Sequence, residues 1–139
     1  MTYTNWVIEH SIKHKKILEK LINKSSDEVI SYFEYENMKT KEKDFCLLYK
    51  EDKKCHEMKN LNCYLCACPY FRFNDKGFGK QNNKEIFSFC SINSKKGKLF
   101  ESKEAIHQDC SDCLIPHKIR YIKKVFNRDW NLIIKDSYV

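Results

Sequence analysis

A small α+β fold, mostly helical and completed by irregular loops, is what this sequence predicts. Three observations carry that expectation. The chain has 139 residues, a length that suits one domain with a shallow core. It holds only three glycines and two prolines, too few for a turn-rich β-sandwich. Its eight cysteines all come after residue 45, where helical periodicity gives way to short segments. With 42% hydrophobic and 14% aromatic residues, the composition is that of a globular chain.

Trp6, Val7, Ile8, Ile12, Ile17, Leu18, Leu21 and Ile22 recur at three- and four-residue steps. They predict an amphipathic helix over 4–23, with Lys13, Lys15, Lys16 and Lys20 on its other side. His10 and His14 share a face of it. No thiol or acidic partner is near them in sequence, so they read as ordinary helix histidines. Ser25 followed by Glu28 is a capping-box pattern and opens a second helix carrying Val29, Ile30 and Phe33. Residues 38–44 are a charged connector. A polar loop with Gly77 and Gly79 fills 73–84, and residues 85–92 alternate as a short strand. Residues 93–98 form a turn. Ser102 with Glu104 marks the start of a short helix. Ile119, Ile122, Val125 and Phe126 give a last helix, broken near 127–129, before Ile133 and Ile134. The expected organisation is a helical extension over 1–43, a cysteine-rich body over 44–127 and a tail over 128–139. The first 43 residues are too few to bury a core alone, so they pack on the body.

The formal charge is +7. Residues 1–44 carry equal numbers of basic and acidic side chains, so the excess lies with the cysteines. Eight thiolates around two divalent ions would reduce it to about +3, so charge alone does not imply nucleic-acid binding. The N-terminal stretch has no apolar h-region and no small-residue cleavage site, and no eighteen-residue apolar run exists. The expected location is the cytoplasm, away from membranes. In that reducing compartment, closely spaced cysteines are metal ligands before they are disulfides.

A CxxC pair sets two thiolates on one turn, both able to reach a common ion. Two such pairs occur, Cys63/Cys66 and Cys110/Cys113. Cys46, Cys55, Cys68 and Cys90 remain, and His56 and His117 adjoin or close cysteine clusters. Cys68 follows Cys66 too closely to join it easily on one ion, so one of the two should point away. The arithmetic gives two four-coordinate sites. One division is Cys63, Cys66, Cys110 and Cys113 against Cys46, Cys55, Cys68 and Cys90, with an imidazole able to replace a thiolate.

The segments "NCYLCACPYF" and "DCSDCLIPHK" together resemble the cysteine-rich small domain family, zinc-finger-like modules credited with metal binding. The resemblance spans about residues 45–122. It implies a zinc-finger-like core and implicates Cys46, Cys55, His56, Cys63, Cys66, Cys68, Pro69, Cys90, Cys110, Cys113, Pro116 and His117. Where the family commonly has Gly-Gly after its central cysteine, this chain has Ser91 and Ile92 after Cys90.

Thiolate-rich sites suit zinc and iron–sulfur clusters alike. The Cys-His junctions favour zinc; the Cys68–Pro69 step has a ferredoxin flavour, which keeps a cluster as the alternative. The expected role is a binding module on a metal-held frame. Its partner would be RNA, DNA or protein, with Arg72, Phe73, Lys76, Phe78 and Lys80, beside Phe71, as candidate nucleic-acid contacts. An open-site enzyme or a metal- or sulfur-handling protein is the competing expectation. Against it, no HExxH, deaminase, P-loop or dinucleotide fingerprint occurs.

Overall fold

The computed structural model describes residues 2–137. It is an α+β fold whose helical side and strand side meet along the segment 61–73. The described helices are α1 (Tyr3–Lys20), α2 (Ser26–Tyr32), α3 (Tyr35–Lys41), α4 (Ile119–Val125) and α5 (Trp130–Ile133). Short 3-10 turns span Leu47–Glu51 and Ile115–His117. The strands are β1 (Phe71–Phe73), β2 (Lys80–Gln81), β3 (Lys84–Ile86), β4 (Ser88–Cys90), β5 (Lys98–Glu101) and β6 (Ala105–Asp109). Among the described residues, no helix is long and apolar enough to cross a membrane.

The expected first two helices form, and Ser25 and Glu28 exchange both bonds of the capping box. Part of the expected charged connector is helix α3. Its seven residues bury only Tyr35 and Met38, too few apolar positions to show a period. The helix expected from Ser102 does not form. Ser102 Oγ accepts the Ala105 amide in a tight turn, and residues 105–109 are strand β6. The loop over 73–84 contains β2 and a two-residue hairpin. Asn82 and Asn83 both adopt left-handed conformations, φ 53° and 66°, as a twist-matched hairpin turn requires.

β3 and β4 are one bent strand interrupted at Phe87. β3 lies in a four-stranded sheet ordered β2-β3-β6-β5, running parallel to β6. β4 pairs antiparallel with β1, placing Phe71 opposite Cys90 and Phe73 opposite Ser88. The start of β1 and the ends of β4 and β6 therefore open in one direction.

The main core joins α1, α2 and α3 to the segment 61–65 and to Ile122 of α4; Val29, Phe33, Met38, Tyr64, Leu65 and Ile122 are fully buried. The first 43 residues thus share one core with the cysteine-rich segment. A smaller cluster joins Val7, Ala67 and Phe73 to Trp130 and Ile134. The expected tail is therefore structural: Trp130 packs in that cluster and donates Nε1–H to Leu65 O at 2.6 Å. His10 and His14 lie inside this helical side. His10 stacks on Trp6 and touches Phe45 and Trp130, while His14 stacks on Phe33 and bonds Tyr64 O at 2.9 Å. Burial drives their pKa values down to about 3 and about 4, so both are neutral members of an aromatic core.

Candidate metal centre

The segment 61–66 is pinned before any thiol acts. Cys63 N–H donates to Phe33 O and Tyr35 N–H to Leu61 O, where α2 gives way to α3. Asn62 is fully buried. Its Nδ2 donates to Ile30 O and its Oδ1 accepts the Tyr64 amide, both at 2.8 Å. Its backbone N–H donates to His117 O at 3.3 Å, and its carbonyl accepts His117 Nδ1–H at 2.9 Å. That pair of bonds fixes a tautomer. A carbonyl oxygen only accepts, so Nδ1 of His117 carries the proton and Nε2 presents a lone pair.

The lone pair faces Cys55. His117 Nε2 lies 3.6 Å from Cys55 Sγ. His56 approaches the same sulfur from the other side, with Nδ1 at 3.1 Å, and its Nε2–H donates to Cys110 O at 3.0 Å. Both imidazoles therefore tie their N–H to a backbone carbonyl and turn their basic nitrogen to one thiol. Metal-bound histidines are oriented this way, because the second bond raises ligand basicity and fixes the ring. With Zn–S near 2.3 Å and Zn–N near 2.1 Å, the S···N edge of a tetrahedral site is about 3.6 Å. Among the described residues, Cys55, His56 and His117 are the one group of three ligating atoms all within 4.8 Å of one another.

Behind this triad stand Cys46, Cys63 and Cys66. Burial pushes the Cys46 thiol up, against the amides of Leu48 and Tyr49 that favour its thiolate. Cys63 is held below the ordinary thiol range by the adjoining Cys66 thiol first and the Tyr49 hydroxyl second, against its own burial, while the Cys66 thiol donates to Cys63 O at 3.1 Å. Cys66 is raised, first by the adjoining Cys63 thiol and then by burial and the charges of Cys63, Cys46 and Cys55. The Cys55 thiol is pushed up to about 11 by burial, then by Cys63 and Cys46. Tyr49 Oη is buried among these sulfurs and has no oxygen or nitrogen partner among the described residues.

The other four thiols form a second set. Cys68 sits just before β1, Cys90 ends β4, Cys110 follows β6 and Cys113 closes the next turn. Burial raises Cys68, opposed by the Tyr70 amide and reinforced by Cys113 and Cys90. Cys110 is pushed up to about 11 by burial, then by Cys68, Cys113 and Cys90. All eight cysteines are free thiols.

The electrostatic neighbours divide the thiols differently from their spacing: Cys63 acts with Cys46 and Cys55 on Cys66, and Cys113 and Cys90 act on Cys68 and Cys110. Cys66 also borders the cavity lined by Cys68, Cys90, Cys110 and Cys113. The reason is local. Cys66 has φ 47°, a left-handed turn that keeps it on the Cys63 side and sends Cys68 out toward β1. The parallel course of β3–β4 and β6 then brings Cys90 and Cys110 to the same end. Cys66 and Cys68 have different charged neighbours, although both line the same cavity.

The proposed nucleic-acid contacts fare unevenly. Phe73 is buried and cannot stack on a base. Arg72 Nη1 donates to Pro69 O and Phe71 O, so its guanidinium serves the loop. Lys76, Phe78 and Lys80 are exposed, and Phe78 meets Phe89 edge-on. Asn62, Tyr49 and Ser94 touch the thiols or their histidine, yet sequence reasoning gave them no role. Only the Asn62–Cys63 junction carried a signal, and its use depends on His117, 55 residues away.

No protein-family model matches the chain, and no curated protein or solved structure matches it.

Proposed function

We propose that this chain is a two-centre metal protein that acts as a binding module, with zinc in the centre built on Cys55, His56 and His117. The convergence of two tautomer-locked imidazole lone pairs on the Cys55 sulfur carries the reading. Cys46, Cys63 and Cys66 supply thiolate for the remaining position. The second centre is built on Cys68, Cys90, Cys110 and Cys113. Zinc suits the first because it accepts imidazole and thiolate together and has no geometric demand beyond a tetrahedron. The resemblance of the two cysteine segments to the cysteine-rich small domain family supports metal binding in the same residues.

On binding, each thiol gives up its proton. The burial that raises the Cys55 and Cys110 pKa values is offset by the cation's charge. The metal bonds then hold the irregular loops, leaving the strand side free to meet a partner. Lys76, Phe78 and Lys80 remain the candidate contacts on that side.

Elemental analysis of protein purified without oxygen tests the reading. Zinc should be present at about one equivalent or more. H117A and C55S should each lose one equivalent while keeping the α1 helix. Metal-free protein that takes up no zinc, or variants that bind as the parent does, would refute it.

A further inference from the structure

The second thiol set differs from the first in what lies between its sulfurs. A cavity of about 250 Å³ is lined by Cys68, Cys90, Cys110 and Cys113, and is bordered on the side of the first set by Cys66, His56 and His117. In the first set, Cys55 has both imidazoles against it. In the second, no hydrogen bond joins any two of the four sulfurs, and no three of them lie within 4.8 Å of one another. A single tetrahedral zinc would need sulfurs about 3.8 Å apart and would leave no room between them.

The lining supports a soft, bulky inorganic occupant. Tyr3, Phe71, Ile92, Ile115 and Pro116 supply apolar walls, and no charged side chain lines the cavity. That excludes the carboxylate-rich surroundings favoured by hard cations. The sulfurs are already met by polar hydrogens. Ser94 N–H points to Cys90 Sγ at 3.5 Å, and Ser94 Oγ lies 3.6 Å from Cys113 Sγ. The Tyr70 and Phe71 amides favour the Cys68 thiolate. Hydrogen bonds to ligand sulfur are a main means by which proteins stabilise and tune iron–sulfur clusters.

We infer that Cys68, Cys90, Cys110 and Cys113 hold a [4Fe–4S] cluster, whose core fills the cavity that one ion would leave empty. This rests on the two-centre reading above and makes the centres chemically unlike: zinc at the imidazole-bearing site, a cluster at the all-thiolate site. Each of the four thiols loses its proton on ligation; two ferrous ions, two ferric ions and four sulfides supplied to the apoprotein sum to the [4Fe–4S]2+ core with no further oxidant. His56 joins the two, since its N–H is held by the carbonyl of the cluster ligand Cys110.

The test is anaerobic reconstitution of the full chain with equal parts of ferrous and ferric iron and with sulfide, followed by visible absorption, Mössbauer spectra and counts of iron, sulfide and zinc. About four irons and four sulfides per chain are expected with zinc retained. C90S and C110S should lose the visible chromophore, and H117A should keep it while losing zinc. S94A should keep the chromophore and shift its reduction potential. A colourless protein with two zinc ions overturns the cluster and leaves the two-centre proposal standing. A protein that binds neither metal overturns both. A chromophore that survives C90S and C110S together overturns the assignment to these residues.

Discussion

The helical side and the strand side of this molecule are built on different principles. The helical side, with the segment 61–67, buries Phe33, Met38, Tyr64, Leu65, Trp130 and Ile134 almost completely. Its buried Asn62 is answered by backbone, at Ile30, Tyr64 and His117. Across residues 74–112, on the strand side, only Ser88 and Ile106 are buried. β5 is exposed along its whole length. Short strands with so little apolar cover are marginal alone. Hydrophobic burial therefore holds the helices, while the strand side lacks a comparable core, and in the two-centre proposal sulfur ligation holds the strand ends. Tyr3 and Asp75 link them, with the Asp75 carboxylate accepting the Tyr3 and Thr4 amides at the start of α1.

Metal removal should separate the two sides most sharply. In reducing buffer with a strong chelator, hydrogen exchange in β1, β4 and β6 should rise by a factor of about 1,000 or more, since metal binding contributes folding energy directly. Protection in α1 and in residues 61–65 should fall far less. Equal protection in both sides with and without metal would break the comparison.

A core truncation should do the reverse. Trp130→Ala removes a fully buried ring and its bond to Leu65 O, and should destabilise the helical side by about 3–5 kcal/mol. Metal stoichiometry should hold, because Trp130 touches no thiol. A denaturant melt paired with elemental analysis reads both quantities.

The helical side was the more legible in the sequence, and the physics explains why. Periodicity reports burial, so α1 was visible from its apolar stripe and α2 from Ser25 and Glu28. Strand β6 was read as a helix start because Ser102 and Glu104 match a cap pattern. What decides its conformation is pairing with β3 and β5, which no local pattern records. The same limit applied to the thiols. CxxC spacing identified the candidate ligands, but their placement depends on the left-handed turn at Cys66 and on strand alignment between Cys90 and Cys110. His10 and His14 read correctly as helix histidines, although the aromatic cage around them was hidden.

That cage gives the helical side a pH response. The folded-state pKa values of His10 and His14, about 3 and about 4, lie below the unfolded value near 6.5. Below pH 6.5 the unfolded chain takes up protons that the folded chain refuses. Stability is therefore full above pH 6.5 and is lost as pH falls toward 4, by about 1.4 kcal/mol per pH unit for each histidine. Acid also protonates metal ligands, so the useful measurement is a difference. His10→Phe keeps an aromatic ring among Trp6, Phe45 and Trp130 and should flatten the stability slope between pH 6 and pH 5 by about half of the histidine contribution. An unchanged slope would mean that His10 is protonated in the fold.

The smallest expected effect is the most pointed test of the strand side. Phe100 lies on β5 and is 59% exposed, and its neighbour Leu99 is 58% exposed. Phe100→Ser should change stability by no more than about 0.5 kcal/mol, the range for surface substitutions away from special features. The strand pairs across to β6 through backbone bonds, with Phe100 opposite His107, and those bonds survive the exchange. Ser25→Ala on the helical side, which removes one cap bond, should cost about 1 kcal/mol, more than removing the whole exposed ring. Matched denaturant melts of the metal-loaded proteins would order the two. If Phe100→Ser cost more than Ser25→Ala, β5 would be drawing stability from side-chain packing, and sulfur ligation would no longer be the sole account of why the strand side holds.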